Sequence, residues 1–177
     1  MNDLLKLKRV AEQLNICGRY RRTWDNAANL QDIMDMALSA QGIEFVCDGC
    51  AFGWGLTQEY ILKKFGDYIN GRYQRNMGGY TSEMYVEAKG EITLRSTLNL
   101  LVGCNCTIVV PERHICKVYV CNSSVHLDCK GHCEVYVYGD GCEVIVADGL
   151  HSDVTLYKEH KSHWVKEECQ EDGGECV

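Results

Sequence analysis

The sequence predicts an α+β protein, an N-terminal helical cap followed by a short β-solenoid, or β-helix, of about three to four coils. Two observations predict it. Between Gly90 and Leu156 a five-residue phrase occurs eight times, a small residue and two aliphatics at alternate positions, and ahead of it apolar residues recur at helical spacing.

The N-terminal part reads as three helices. Asn2 or Asp3 caps the first, whose stripe runs through Leu4, Leu7, Val10, Ala11 and Leu14 to a stop at Gly18. The second runs from about Ala27 to Ala40, capped by Asp25 or Asn26 and followed by Gly42. Residues 43–55 are apolar but broken by glycines, which predicts a packed turn or a short helical segment. Thr57 opens the third helix, and Gly66 ends it. These helices would seal the end coil of the solenoid, where strand edges and apolar core would otherwise be bare. The predicted division is a helical head over 1–79, a solenoid over 80–164 and an acidic flexible tail over 165–177.

The phrases begin at Gly90, Ser96, Cys106, Cys116, Ser123, Cys133, Cys142 and Ser152. Side chains alternate across a strand, so the small residue and both aliphatics of each phrase face inward together. From Cys106 onward alternate phrases start 17, 17, 19 and 19 residues apart, so two strands per coil is the simplest division and three the alternative. Cys106, Cys116, Cys133 and Cys142 occupy the small inward position, where a free cysteine packs as a small hydrophobe.

Composition narrows the function classes. With 46% apolar residues and one proline, Pro111, the chain should fold. Its N-terminus alternates apolar and charged residues and does not read as a signal peptide, and no apolar run reaches the ~18 residues that span a membrane. The twelve cysteines are therefore expected to be mostly free thiols in a reducing compartment. The net charge of -7 lies mainly in residues 89–177, with 8 Lys/Arg against 14 Asp/Glu, which argues against nucleic acid on the solenoid.

Candidate sites fall into columns. His114, His132 and His151 are 18 and 19 residues apart, about one coil each, and should stack along one edge, either as turn residues or as a strip for a metal or a proton. Tyr119 and Tyr136 share an outward position one coil apart, with Lys117 and Glu134 beside them, as stacked rings or as a platform for a protein or sugar. Cys47-Asp-Gly-Cys50 has the spacing of half a zinc site, whose other ligands would come from Cys17, Cys169, Cys176, His160 or His163. No nucleophile elbow, phosphate loop or metalloprotease motif occurs, so no catalytic residue is assigned. Asp128, Asp140, Asp148 and Asp153 are the acids that a carbohydrate-active solenoid could use.

Residues 90–157 resemble β-helix and bactofilin-like solenoids. Gly42-Ile-Glu-Phe45, Phe65-Gly66, Leu98-Asn-Leu-Leu-Val-Gly-Cys104 and Val118-Tyr-Val120 resemble uncharacterised small proteins of phages and mobile elements. That resemblance implies a setting in the cytoplasm of a bacterial host and no mechanism. The expected function is non-enzymatic: a protein-binding or assembly protein, an accessory or an inhibitor of a host protein, using an acidic outer face with Glu134 and Glu143. No cofactor is expected in this reading. The alternatives are a zinc-binding module through Cys47 and Cys50 and a carbohydrate-binding or carbohydrate-active solenoid. The expected partner is a protein, with self-association as an option and neither membrane nor nucleic acid.

Overall fold

A computed structural model describes residues 22, 25–53, 57–69, 72–76, 79–147 and 153–158. The first predicted helix, the acidic tail, His151, Cys17, Cys169, Cys176, His160 and His163 lie outside them. Among the described residues, three helices, α1 (Leu30–Ala37), α2 (Ala40–Phe52) and α3 (Gln58–Ile69), precede ten strands. The strands are β1 (Arg72–Asn76), β2 (Thr81–Val86), β3 (Lys89–Thr93), β4 (Leu98–Val102), β5 (Asn105–Val110), β6 (Ile115–Cys121), β7 (Ser124–Cys129), β8 (His132–Tyr138), β9 (Glu143–Val146) and β10 (Val154–Tyr157).

The repeat region is a β-solenoid of about four turns with two strands per coil. Even-numbered strands stack in parallel as β2-β4-β6-β8-β10, and odd-numbered strands as β3-β5-β7-β9. The lumen between the sheets is packed by Leu101, Val118, Val120, Val135 and Val137 from one side and Ile108, Val110, Val125 and Leu127 from the other. Each such buried aliphatic contributes about 1.5–3 kcal/mol.

Seven of the eight phrases have their aliphatics in the lumen, and the second does not. Asn99 lies beside Val118, and Leu101 beside Val120, so these two point inward. Leu98 and Leu100, predicted inward, face the helices instead. In Leu-Asn-Leu-Leu-Val every residue is buried, because this strand has protein on both faces, and alternation then carries no sign.

The helices cover a flank of the solenoid. The outer face of the even-numbered sheet carries one row of Met84, Leu100 and Tyr119 and another of Val86, Val102, Cys121 and Tyr138, all in one core with Ile43, Val46 and Cys47 of α2. The exposed edge that the predicted cap would seal is met differently: β1 pairs antiparallel with β2 and occupies the N-terminal edge of this sheet. The Arg75 guanidinium on β1 also donates to the Asp35 carbonyl oxygen of α1.

Local signals explain the helix ends. Asn29, three or four residues beyond the predicted cap, makes a capping box with Asp32. Of residues 43–55, predicted as a turn or short helical piece, 43–52 form most of a regular helix, and 54–55 lie outside the described residues. Ser39 accepts from Gly42 N at its start, and Gly53 ends it in the left-handed conformation. Gly42 and Gly49 are tolerated inside α2 because the helix is buried on nearly all sides, so packing outweighs propensity. Helix α3 likewise continues through Gly66 to Ile69.

One corner of the solenoid repeats a backbone conformation. Glu87, Gly103, Asn122 and Gly139, each directly after an even-numbered strand, all have positive φ, between 50° and 76°. The reversal into the next sheet needs one left-handed residue, which Gly and Asn adopt at low cost. The Asn122 amide donates to Cys50 O at 3.0 Å and to Gln58 Oε1 at 3.3 Å, while Gln58 Nε2 donates to Glu87 Oε1 at 3.4 Å. The corner column therefore fixes α2 and α3 to the solenoid.

Candidate binding surface

The two sheets offer different outer faces. On the even-numbered sheet the predicted tyrosine pair is a ladder of three. Tyr119 and Tyr136 stack at 5.1 Å, and Tyr136 and Tyr157 at 4.7 Å between ring centroids. Tyr119 is 5% exposed and shares the core with α2, so the ladder begins beneath a helix and emerges at Tyr157, 41% exposed. Tyr119 is therefore not accessible to a partner, whereas Tyr136 is half-buried. Beside the ladder, Lys117 Nζ lies 2.9 Å from Glu134 Oε2, and the Tyr136 hydroxyl donates to the same oxygen at 2.8 Å. The ammonium of Lys117 holds the Glu134 carboxyl below its ordinary range, and Glu134 in turn raises Lys117.

His114 and His132 do not align. His132 lies opposite Ile115, and His114 is one residue earlier, at the corner. Four residues separate β5 from β6 but only two separate β7 from β8, so equal spacing in sequence does not give equal position in the coil. The His114 ring bonds the Ser96 carbonyl oxygen through Nε2 at 3.1 Å, a structural role at the end of a buried polar cluster. In that cluster Ser96 Oγ donates to Glu83 Oε2 at 3.1 Å, and the Asn99 amide donates to Ser96 O at 2.8 Å.

Cys47 and Cys50 are brought together on the sheet-facing side of α2, in one core with Cys121 of β6, whose thiol donates to Leu101 O at 3.4 Å. Spacing along the chain could not show this third thiol, which arrives from an outward row of the sheet. Burial raises Cys47, and the contact with Cys121 together with burial raises Cys50. Among the described residues no group of three or more His, Cys, Asp or Glu has the arrangement to hold a metal ion, and the nine described cysteines are free thiols. These protonated, enclosed thiols should be inert. In folded protein at mildly alkaline pH, peptides containing Cys47, Cys50 and Cys121 should stay unlabelled by a maleimide and become labelled on denaturation; mass spectrometry reads both states.

The outer face of the odd-numbered sheet is open. One row is Lys89, Asn105, Ser124 and Glu143; the next is Glu91, Thr107, His126 and Ile145. A third row holds Thr93, Val109 and Asp128. Ile145 is 49% exposed, and a shallow hollow of about 250 Å³ runs past Asn105, Thr107, Ser124, His126 and Ile145. His126, which the column argument overlooked, sits centrally on this face. Glu143 belongs here, whereas Glu134 belongs to the opposite sheet, so the two do not form one acidic face. The acids considered for carbohydrate chemistry are dispersed too: Asp128 is on this face beside Lys130 at 3.7 Å, Asp140 is in a corner, Asp153 precedes β10 and Asp148 lies outside the described residues.

No helix among the described residues is long and apolar enough to cross a membrane. No family model, curated protein or solved structure matches the chain.

Proposed function

We propose that the protein is a non-enzymatic binding or assembly protein that engages a protein partner through the outer face of β3-β5-β7-β9. The observation that carries this is the asymmetry between the faces. Helices cover most of one, while the other presents three regular rows of charged, polar and apolar groups. A flat sheet with side chains at fixed spacing suits recognition of a folded surface, with Ile145 as an apolar anchor inside a polar surround. In the setting that the phage and mobile-element resemblance suggests, the partner is a host or phage protein, and the chain is an accessory or an inhibitor.

Charge and shape changes on the two faces test the proposal. With a partner isolated from the host that carries the gene, Ile145→Lys and Glu143→Lys should each weaken binding by roughly tenfold or more. Glu134→Lys, on the other sheet, should leave it within about twofold. Unchanged binding after both Ile145→Lys and Glu143→Lys would sink the reading.

Zinc binding through Cys47 and Cys50 has less support, because among the described residues no group of three or more His, Cys, Asp or Glu could hold a metal ion. Elemental analysis of protein purified without chelator decides it. The carbohydrate reading has less support, since Tyr119 is buried and the acids are dispersed.

A further inference from the structure

Two Asp-Gly dipeptides lie among the described residues, and the fold treats them in opposite ways. Asp48-Gly49 is inside α2, where Asp48 is fully buried and the Gly49 N–H belongs to the helical ladder. Asp140-Gly141 forms the corner between β8 and β9, and both of its residues are exposed. Asp148-Gly149, Asp172-Gly173 and the related Asn70-Gly71 lie outside the described residues.

The corner leaves the two groups that can react with each other open. Gly139 turns the chain in the left-handed conformation, and Asp140 and Gly141 follow it. Among the described residues the Gly141 N–H makes no backbone hydrogen bond. Glycine carries no Cβ beside its nitrogen, so no side chain shields that nitrogen from the carboxyl that precedes it. Gly139, Asp140 and Cys142 also line a hollow of about 340 Å³ at this end of the solenoid, through which water reaches the corner.

We infer that Asp140 is a site of isoaspartate formation, a covalent modification of this corner. The Gly141 nitrogen attacks the side-chain carboxyl carbon of Asp140 in its carboxylic-acid form. A C–N bond forms, the C–OH bond breaks, and the hydroxyl leaves as water with the proton from nitrogen, which closes a succinimide ring. Water then adds to either ring carbonyl and breaks its bond to nitrogen. Opening at the α-carbonyl leaves the main chain running through the former side chain, one carbon longer, with the α-carboxylate exposed. One water leaves and one enters, so the step needs no oxidant or cofactor.

The extra carbon enters directly before β9, which carries Glu143 and Ile145. Both sides of the corner are tied down: the Cys142 thiol lies 3.3 Å from Tyr138 O, and Glu143 N donates to Ser123 O at 2.9 Å. A longer corner strains these bonds or shifts β9, so ageing of the chain alters the proposed binding surface. The modification itself does not rest on that reading, since it is detected without a partner.

The test incubates the full chain at neutral pH in heavy-oxygen water and maps its peptides by chromatography and mass spectrometry. The Asp140 peptide should split into two peaks, take up the oxygen label and accept a methyl group from an isoaspartate-specific carboxyl methyltransferase. The Asp48 peptide should react roughly tenfold more slowly while the chain is folded, and at a comparable rate in urea. In Gly141→Ala the new Cβ would lie 3.4 Å from Asn122 Oδ1, an ordinary contact, and the Asp140 reaction should slow roughly tenfold. An Asp140 peptide that stays a single unlabelled peak, or that reacts no faster than the Asp48 peptide of the folded chain, would overturn the inference, as would Gly141→Ala reacting at the wild-type rate. The comparison of the two peptides within the wild-type sample holds even if the variant fails to fold.

Discussion

Leu101→Ala should destabilise the protein by about 2–5 kcal/mol, and Leu100→Ala by a similar amount, yet the two should fail in different places. Both leucines are fully buried on β4, one residue apart, and they point to opposite sides. Leu101 enters the lumen between Tyr85 and Val120, so its truncation opens a cavity in the stacked core. Leu100 lies between Met84 and Tyr119 beneath the helices, so its truncation loosens the seam. Hydrogen exchange separates them. Leu100→Ala should speed exchange chiefly in α2 and leave the solenoid strands protected, whereas Leu101→Ala should speed exchange across β4, β6 and β5. Equal loss of protection in both variants would mean that helices and solenoid unfold as one unit.

Gly131→Ala should cost about 1–3 kcal/mol in a urea titration, and Gly131→Val more. The corner between β7 and β8 is two residues long and lies directly on the corner of the preceding coil, where His132 N donates to His114 O at 2.8 Å. A Cβ on Gly131 would overlap the carbonyl oxygens of His114 and Pro111. Backbone cannot yield as a flexible side chain can, so the coil spacing must open and the His132 bond must lengthen. By contrast, a Cβ on Gly66, in the surface helix α3, would meet nothing, and Gly66→Ala should be neutral or slightly stabilising.

Legibility in the sequence followed how many faces of an element were buried. Strand β5, with Cys106, Ile108 and Val110 inside and Asn105, Thr107 and Val109 outside, alternates cleanly because one face meets water. Strand β4 does not, because it lies between lumen and helices. Helix α2 was obscured for the same reason: a helix packed all round has no polar face to show its period, and Gly42 and Gly49 resemble breaks. The tyrosine ladder was visible as Tyr119 and Tyr136. Tyr157 was hidden by the longer connection before β10, and the depth of Tyr119 depended on where α2 lands. The left-handed corner could have been seen: Gly103, Asn122 and Gly139 recur 19 and 17 residues apart, the spacing of the coils themselves.

The sequence by itself determined the coil. Its repeated phrase specified parallel strands with a shared inward face, and its small inward residues accounted for the cysteines in the lumen. Those are properties of neighbours along the chain and of the period-two strand. Only the tertiary structure decided which sheet the helices cover, that His114 and His132 miss each other, that Cys121 joins Cys47 and Cys50, and that Glu134 and Glu143 face opposite ways. Each of these depends on corner length or on the landing of a distant element. One residue more or less in a corner moves a side chain to another position of the coil, and the spacing of equivalent residues alone cannot register that.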